Sequence, residues 1–169
     1  MRTIPSPLNY YSVLKLINKN KAPFHDRYYI VLNQVEICTE LDMNFVTINT
    51  IYRDYKKNGI ILKEGMNYYL TQKGLKVVTM YEQTGLDFIC YYKLLETLCK
   101  DIAFYREKML IVTDERDLQT GSELKAKELN IYMDYLIDTG LVEVSENRKY
   151  ITPKAVEEFL FFKQNYFTV

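Results

Sequence analysis

Residues 59–73 read GIILKEGMNYYLTQK, and residues 140–154 read GLVEVSENRKYITPK, so the chain carries nearly the same stretch twice, 81 positions apart. In both copies a glycine precedes two aliphatic residues, and a Tyr-aliphatic-Thr run follows a polar segment. An internal repeat of this kind decides architecture before any single residue does. We expect each copy to contain a helix that ends at the glycine, a strand, a polar turn, a second strand and a new helix.

Length and composition favour two small domains over one. The chain has 169 residues, of which 48% are hydrophobic and 26% charged, and the repeat places the boundary near its middle. We therefore predict an α+β, mainly helical protein with domains at 1–85 and 86–169. Residues 1–84 carry 11 Lys/Arg and 7 Asp/Glu (net +4), whereas residues 85–169 carry 11 and 15 (net −4). The first half is the better partner for a polyanion.

The first copy contains a compact series of helix and strand signals. Asn33 is typical of a cap for a short helix that ends at Leu41, and a tight turn at 42–44 leads to a second helix capped by Asn44. The second helix covers 45–58, Gly59 ends it, and strands at 60–63 and 67–71 follow. The apolar residues of this helix recur at i, i+3, i+4 and i+7, which predicts a buried face made of Ile48, Ile51, Tyr52 and Tyr55.

Residues 44–74, NFVTINTIYRDYKKNGIILKEGMNYYLTQKG, resemble the winged helix-turn-helix of prokaryotic transcription regulators, especially those of the multiple-antibiotic-resistance type. Residues 134–155, DYLIDTGLVEVSENRKYITPKA, carry the same resemblance in the second copy. The resemblance implies two tandem winged helices. It also implies that helix 45–58 enters the major groove of double-stranded DNA while the 60–71 hairpin lies against the backbone as the wing.

The polar face of helix 45–58 supplies the candidate DNA-binding residues. Asn and Thr side chains read base edges, and Arg and Lys hold phosphates. Lys63 and Asn67 flank the wing turn, where they would reach the backbone or the minor groove. The candidate set is Asn44, Thr47, Asn49, Thr50, Arg53, Lys56, Lys57, Lys63 and Asn67.

In the second copy the charge of the corresponding helix face is reversed. At the offset of 81, Arg53 becomes Asp134 and Lys57 becomes Asp138. Phosphates would repel such a helix, so we do not expect the second copy to read DNA. Ile131 and Ile137 replace Thr50 and Lys56, which indicates a contact with protein, either the first domain or another subunit.

Residues 86–108 show a regular apolar stripe, which predicts one long helix joining the two winged helices. Two interpretations of the stripe stay open: a homodimer seam, or a helix that packs on its own two domains. Together with Ile131 and Ile137, the candidate interface residues are Phe88, Tyr91, Leu95, Leu98, Ile102 and Tyr105, and Met109 ends the stripe.

The residue inventory argues against an enzyme. His25 is the single histidine, the glycines form no phosphate-binding loop, and the three cysteines lack metal-ligand spacing. We expect no metal, no cofactor and no catalytic residue. No apolar run approaches the ~20 residues that span a bilayer, and the amino terminus lacks the apolar core of a signal peptide. We therefore expect a cytoplasmic protein without a membrane partner.

The sequence favours a sequence-specific DNA-binding transcriptional regulator that acts as a homodimer. One alternative is a non-enzymatic tandem winged-helix subunit of an architectural or multiprotein complex, which the net charge of zero and the acidic second copy suit better. Another is a plasmid or virus replication-initiation or partition protein that binds DNA.

Overall fold

The computed structural model describes residues 5–100, 102–105 and 108–167, with the side chains of 5–100 and 109–167. These residues form a mainly helical α+β structure with two small antiparallel sheets. The chain divides into two compact units, Met1–Gly85 and Leu86–Val169, which we call unit 1 and unit 2.

The two units repeat one order of elements. Unit 1 consists of α1 (Pro7–Lys19), β1 (Lys21–Phe24), β2 (Arg27–Ile30), α2 (Gln34–Leu41), α3 (Phe45–Lys57), β3 (Ile61–Glu64), β4 (Asn67–Leu70) and α4 (Gln72–Thr84). Unit 2 consists of α5 (Phe88–Lys100), β5 (Ile102–Tyr105), β6 (Lys108–Ile111), α6 (Glu115–Ser122), α7 (Ala126–Asp138), β7 (Val142–Ser145), β8 (Arg148–Ile151) and α8 (Pro153–Tyr166). Every element of unit 2 begins 81 positions after its counterpart, so the repeat covers the whole helix–hairpin–helix–helix–hairpin–helix series.

Each unit has one four-stranded antiparallel sheet built from two hairpins. The order is β1-β2-β4-β3 in unit 1 and β5-β6-β8-β7 in unit 2. The hairpins join through their second strands, with Tyr29 opposite Tyr69 in unit 1 and Leu110 opposite Tyr150 in unit 2. The later hairpin of each unit follows directly on a 13-residue helix, α3 or α7.

Local signals explain where the helices begin and end. Asn33 and Glu36 form a capping box at the start of α2, and the Asn44 side chain caps α3. Gly59 (φ +72°) and Gly140 (φ +78°) lie just after α3 and α7, in the left-handed region that favours glycine. The predicted end of the first-copy helix at Gly59 therefore agrees with the backbone.

The predicted long helix over 86–108 is wrong. Helix α5 ends at Lys100, and Ile102–Tyr105 is a strand that pairs with Lys108–Ile111. Helix α5 is the counterpart of α1 and packs against α6 and α8 within unit 2. The helical pattern continues past Lys100 in the sequence because Ile102, Tyr105 and Met109 of the following hairpin lie three and four positions apart, which is also the spacing of one face of a helix.

On α5 the stripe consequently faces the interior of unit 2, which contradicts its prediction as a seam between two chains. Phe88, Tyr91, Leu95 and Leu98 are buried inside unit 2. The ring of Phe88 meets that of Phe162 on α8 at 4.9 Å and 82°, and the Tyr91 hydroxyl donates to Glu158 at 3.0 Å. Their assignment to a protein interface is therefore corrected: all four lie in the interior of unit 2, where Phe88 and Tyr91 hold α5 to α8.

Strand β1 and helix α6 also differ from what the sequence indicated. Neither element was expected: β1 precedes the β-prone segment at 27–32, and α6 lies in the polar stretch before α7. Asp114 caps α6 as Asn33 caps α2. The polar composition of residues 113–122 hid this helix, since only Leu118 and Ser122 of α6 are buried.

Candidate nucleic-acid interface

Helix α3 presents one apolar and one polar face, as its sequence predicts. Ile48, Ile51, Tyr52 and Tyr55 are all buried, so the predicted inner face is confirmed. Of the candidate residues, Asn44, Asn49, Arg53, Lys56, Lys57, Lys63 and Asn67 are exposed, and Thr47 and Thr50 are half-buried. A capped amphipathic helix thus carries an amide and basic surface on unit 1.

The side chains at the start of α3 are partly used by the helix itself. The Asn44 Oδ1 atom accepts from the Thr47 backbone N–H at 2.8 Å and from the Thr47 hydroxyl at 3.0 Å. The Thr50 hydroxyl donates to the Val46 carbonyl at 3.0 Å. The Asn44 side-chain oxygen is thus already used within the helix. Asn49 is therefore the amide best placed both to donate a hydrogen bond to a base edge and to accept one from it.

Sequence reasoning missed an apolar element of this surface. Val46 is 73% exposed and Phe45 is exposed beside it. Val46 precedes Asn49, Thr50 and Arg53 by three, four and seven positions, which places it on the same helix face. That spacing was visible in the sequence, and an apolar side chain here can contact a thymine methyl group.

Basic side chains cover the later turns of α3. The Arg53 side chain is 60% exposed, and its Nε lies 4.0 Å from Asp54 Oδ1, an ion pair too exposed to fix the guanidinium. Lys56 and Lys57 lie in the last turn, where they also complement the negative end of the helix dipole. The three cations therefore occupy adjacent turns of one exposed surface.

The β3–β4 hairpin is held against α3 by an aromatic contact and against β2 by an ion pair. The rings of Tyr52 and Tyr68 meet at 5.0 Å and 80°. The guanidinium of Arg27 donates to both carboxylate oxygens of Glu64 at 2.6 Å each, which ties β2 to the end of β3. Lys63 Nζ lies 5.5 Å from the centre of the Tyr68 ring, and Met66 at the hairpin tip is 92% exposed.

Helix α1 fixes α3 from the other side. The Tyr10 hydroxyl donates to Asp54, and the Tyr55 hydroxyl donates to the Tyr10 carbonyl oxygen. Burial raises the pKa of Tyr10 to about 12, and the hydrogen bond to Asp54 adds to the shift. Tyr10 therefore keeps its donating proton to a higher pH than an exposed tyrosine does.

The equivalent surface of unit 2 has different chemistry. On α7, Glu128, Asp134 and Asp138 are exposed, and Ile131 is 59% exposed while Ile137 is half-buried. Helix α7 also lacks a side-chain cap, because Lys125 stands where Asn44 stands in unit 1. Acidic and apolar groups thus replace the amide and basic surface of α3.

The remaining candidate interface residues lie on two elements of unit 2. Ile102 and Tyr105 lie in β5, and their side chains are outside the described residues. Ile131 lies on α7 opposite the buried face formed by Leu129, Tyr132, Met133 and Leu136, whereas the half-buried Ile137 borders that face, one turn after Met133.

The described residues give no sign of a metal site or a membrane span. Within 5–100 and 109–167, no three His, Cys, Asp or Glu side chains converge as a metal site would require. His25 occupies the exposed turn between β1 and β2 with φ 56°. Across the described helices, none has the length and apolar character needed to cross a membrane.

No family model, curated protein or solved structure matches the chain.

Proposed function

We propose that this protein is a double-stranded-DNA-binding transcriptional regulator of the winged helix-turn-helix type. In this proposal unit 1 binds DNA with α3 in the major groove and the β3–β4 hairpin as the wing. The order α2–α3–β3–β4, with β4 between β2 and β3 in the sheet, supports a winged helix.

The observation that carries the proposal is the contrast between α3 and α7. The two helices have the same length, the same position and buried faces at equivalent residues. Their exposed faces differ in sign: Arg53 and Lys57 stand where α7 has Asp134 and Asp138. Positive and negative side chains would keep an exposed helix equally soluble, whereas only positive side chains bind phosphate.

Unit 2 serves as the partner module in this proposal. Two chains bound to adjacent half-sites would add their binding energies and supply specificity, so we propose a homodimer in the cytoplasm. Because the α5 stripe is interior, the contact between chains would use other apolar surface, such as the exposed Leu160 and Phe161 on α8.

A second candidate function is a non-enzymatic subunit of a protein complex. The acidic α7 with its exposed Ile131 favours it, because a protein-binding winged helix has no need of a basic face. DNA affinity separates the two candidates.

The test is a fluorescence anisotropy titration of the full chain with a random duplex at about 50 mM and about 200 mM salt, since phosphate contacts release counterions. We expect measurable binding at low salt that weakens by at least tenfold at the higher salt. Absence of binding at low salt, by a protein that circular dichroism shows to be folded, would contradict the DNA proposal and favour the complex subunit.

A further inference from the structure

Unit 2 contains an open cavity of about 570 Å³ between β6, α6, α7 and the β7–β8 hairpin. Its apolar floor is formed by Leu118, Leu129 and Met133, all buried. Asn130, Arg148 and Lys149 lie at its exposed rim. The volume falls within the roughly 300–1,000 Å³ that is typical of small-molecule sites.

The same place in unit 1 holds a much smaller cavity. There the cavity measures about 170 Å³, and Tyr52 and Tyr68 line it. These tyrosines are the counterparts of Met133 and Lys149, and their rings meet at 5.0 Å. Where unit 1 has two tyrosines, unit 2 has a methionine and a lysine, and its cavity is about three times as large although the fold is the same.

The lining specifies the chemistry of an occupant. Leucine and methionine side chains accept a hydrocarbon group, and methionine adapts to its shape. Arg148 and Lys149 attract an anion, and an arginine fork suits a carboxylate. Glu115 also lines the cavity, and its charge disfavours a second anionic group on the ligand.

We propose that unit 2 binds a small amphipathic monocarboxylate in this cavity. The hydrocarbon part lies on Leu118, Leu129 and Met133, and the carboxylate pairs with Lys149 and Arg148 at the rim. This site goes beyond the proposed DNA binding and does not depend on it, since it uses residues of unit 2 alone.

Decanoate, kept below its micelle concentration, is the probe, and calorimetric titration of the full chain gives its affinity. We expect saturable binding with one ligand per chain. Decanoate should also shift the methyl NMR signal of Met133, assigned through Met133→Leu, more than the signals of the other methionines. A protein that takes up no decanoate, or one whose Met133 signal stays fixed on saturation, overturns the proposal.

Two variants test the cavity and its charge separately. The double change Met133→Tyr and Lys149→Tyr restores the aromatic pair of unit 1 and should lower decanoate affinity at least tenfold. Lys149→Met should lower decanoate affinity at least tenfold while leaving the affinity for the uncharged 1-decanol within twofold. Lys127→Met, an exposed lysine of α7 that does not line the cavity, is the matched control and should change neither.

Circular dichroism establishes the fold of each variant. If the double variant does not fold, Lys149→Met and the Met133 signal still decide the question. Equal loss of decanoate and decanol binding in Lys149→Met, or equal effects of Lys149→Met and Lys127→Met, would contradict the carboxylate assignment.

Discussion

Tyr52 on α3 and Tyr68 on β4 pack edge to face, with ring centres 5.0 Å apart and planes at 80°. An aromatic pair of this geometry contributes about 0.5–1.5 kcal/mol beyond the area it buries. The pair joins the helix that we place in the major groove to the hairpin that we place on the backbone. Unit 1 therefore presents both elements in a fixed relation before any ligand arrives, which reduces the ordering cost of binding.

The Tyr52 hydroxyl gives the first prediction. This hydroxyl is buried, and it forms no hydrogen bond with any of the described residues. Burial raises the pKa of Tyr52, so the hydroxyl stays neutral. Tyr52→Phe keeps the ring contact and removes the unsatisfied group, so we expect the free energy of unfolding in urea to stay equal or rise.

Tyr55→Phe is the matched control for Tyr52→Phe. Its hydroxyl donates to the Tyr10 carbonyl, so the same chemical change should cost about 0.5–1.5 kcal/mol. If Tyr52→Phe were the more destabilising of the two, the Tyr52 hydroxyl would have a partner such as a bound water.

The second prediction concerns the basic face of α3. Arg53→Ala should weaken binding to specific and random DNA alike, because the exposed guanidinium would contact phosphate. Lys56→Ala with Lys57→Ala should reduce the slope of log affinity against log salt by roughly 0.9 for each phosphate that the protein no longer neutralises. Arg116→Ala, an exposed arginine on α6, removes the same charge from unit 2 and should leave both quantities unchanged. Equal effects of Arg53→Ala and Arg116→Ala would mean that net charge alone drives the binding.

The third prediction concerns the division of labour between the units. Asp134→Asn with Asp138→Asn removes two acidic groups from the exposed face of α7. DNA affinity should change by less than about threefold, because unit 2 does not approach the phosphates in the proposed mode. Loss of DNA binding in a double variant of unchanged oligomeric state, measured by sedimentation, would show that unit 2 takes part.

The sequence predicted the α3–β3–β4 region well because its signals are local. The helical spacing of Ile48, Ile51, Tyr52 and Tyr55, the cap at Asn44 and the glycine at 59 each act within a few residues. The same locality explains the missing hairpin β5–β6. Its strands are defined by pairing with each other and with β8, and spacing within residues 86–108 carries no information about such partners.

The repeat itself held the missing information. Helix α1 ends before Lys21, in a polar run followed by Pro23, and at the offset of 81 these positions become Ile102 and Phe104. The second copy lacks the full polar run and the proline that mark the end of α1 in the sequence, although its helix ends at the equivalent position. Carrying the offset toward the amino terminus of each copy would have ended α5 at Lys100. The cavity of unit 2 could not be predicted from the sequence. Its volume depends on how completely Met133, Lys149 and residues distant from them in sequence fill the space between their elements.

The fourth prediction uses the thiols of α5. Burial raises the pKa of Cys90 to about 12, with Asp87 adding to the shift, and raises that of Cys99 to about 11. A raised pKa leaves less thiolate at pH 8, and the thiolate is the reactive species. In a Cys38→Ala protein, both thiols should react with a disulfide reagent about a hundredfold or more slowly when folded than in urea. The folded-state rate should keep rising about tenfold per pH unit beyond about pH 9, where the rate of the unfolded chain levels off. A folded-state plateau near pH 9 would contradict the raised pKa values.

The last prediction tests the interior position of α5. Leu95 is fully buried in unit 2, so Leu95→Ala should lower the free energy of unfolding by about 2–5 kcal/mol. Leu95→Glu would bury an unpaired carboxylate among apolar side chains, and unit 2 should unfold. Val144→Glu on the exposed face of β7 introduces the same charge and should leave the protein folded. Circular dichroism reports the folding of each variant, and sedimentation reports its mass. A Leu95→Glu protein that stays folded and becomes a monomer would restore the dimer-seam interpretation of the stripe, since only a side chain facing a second chain could accept the charge on dissociation.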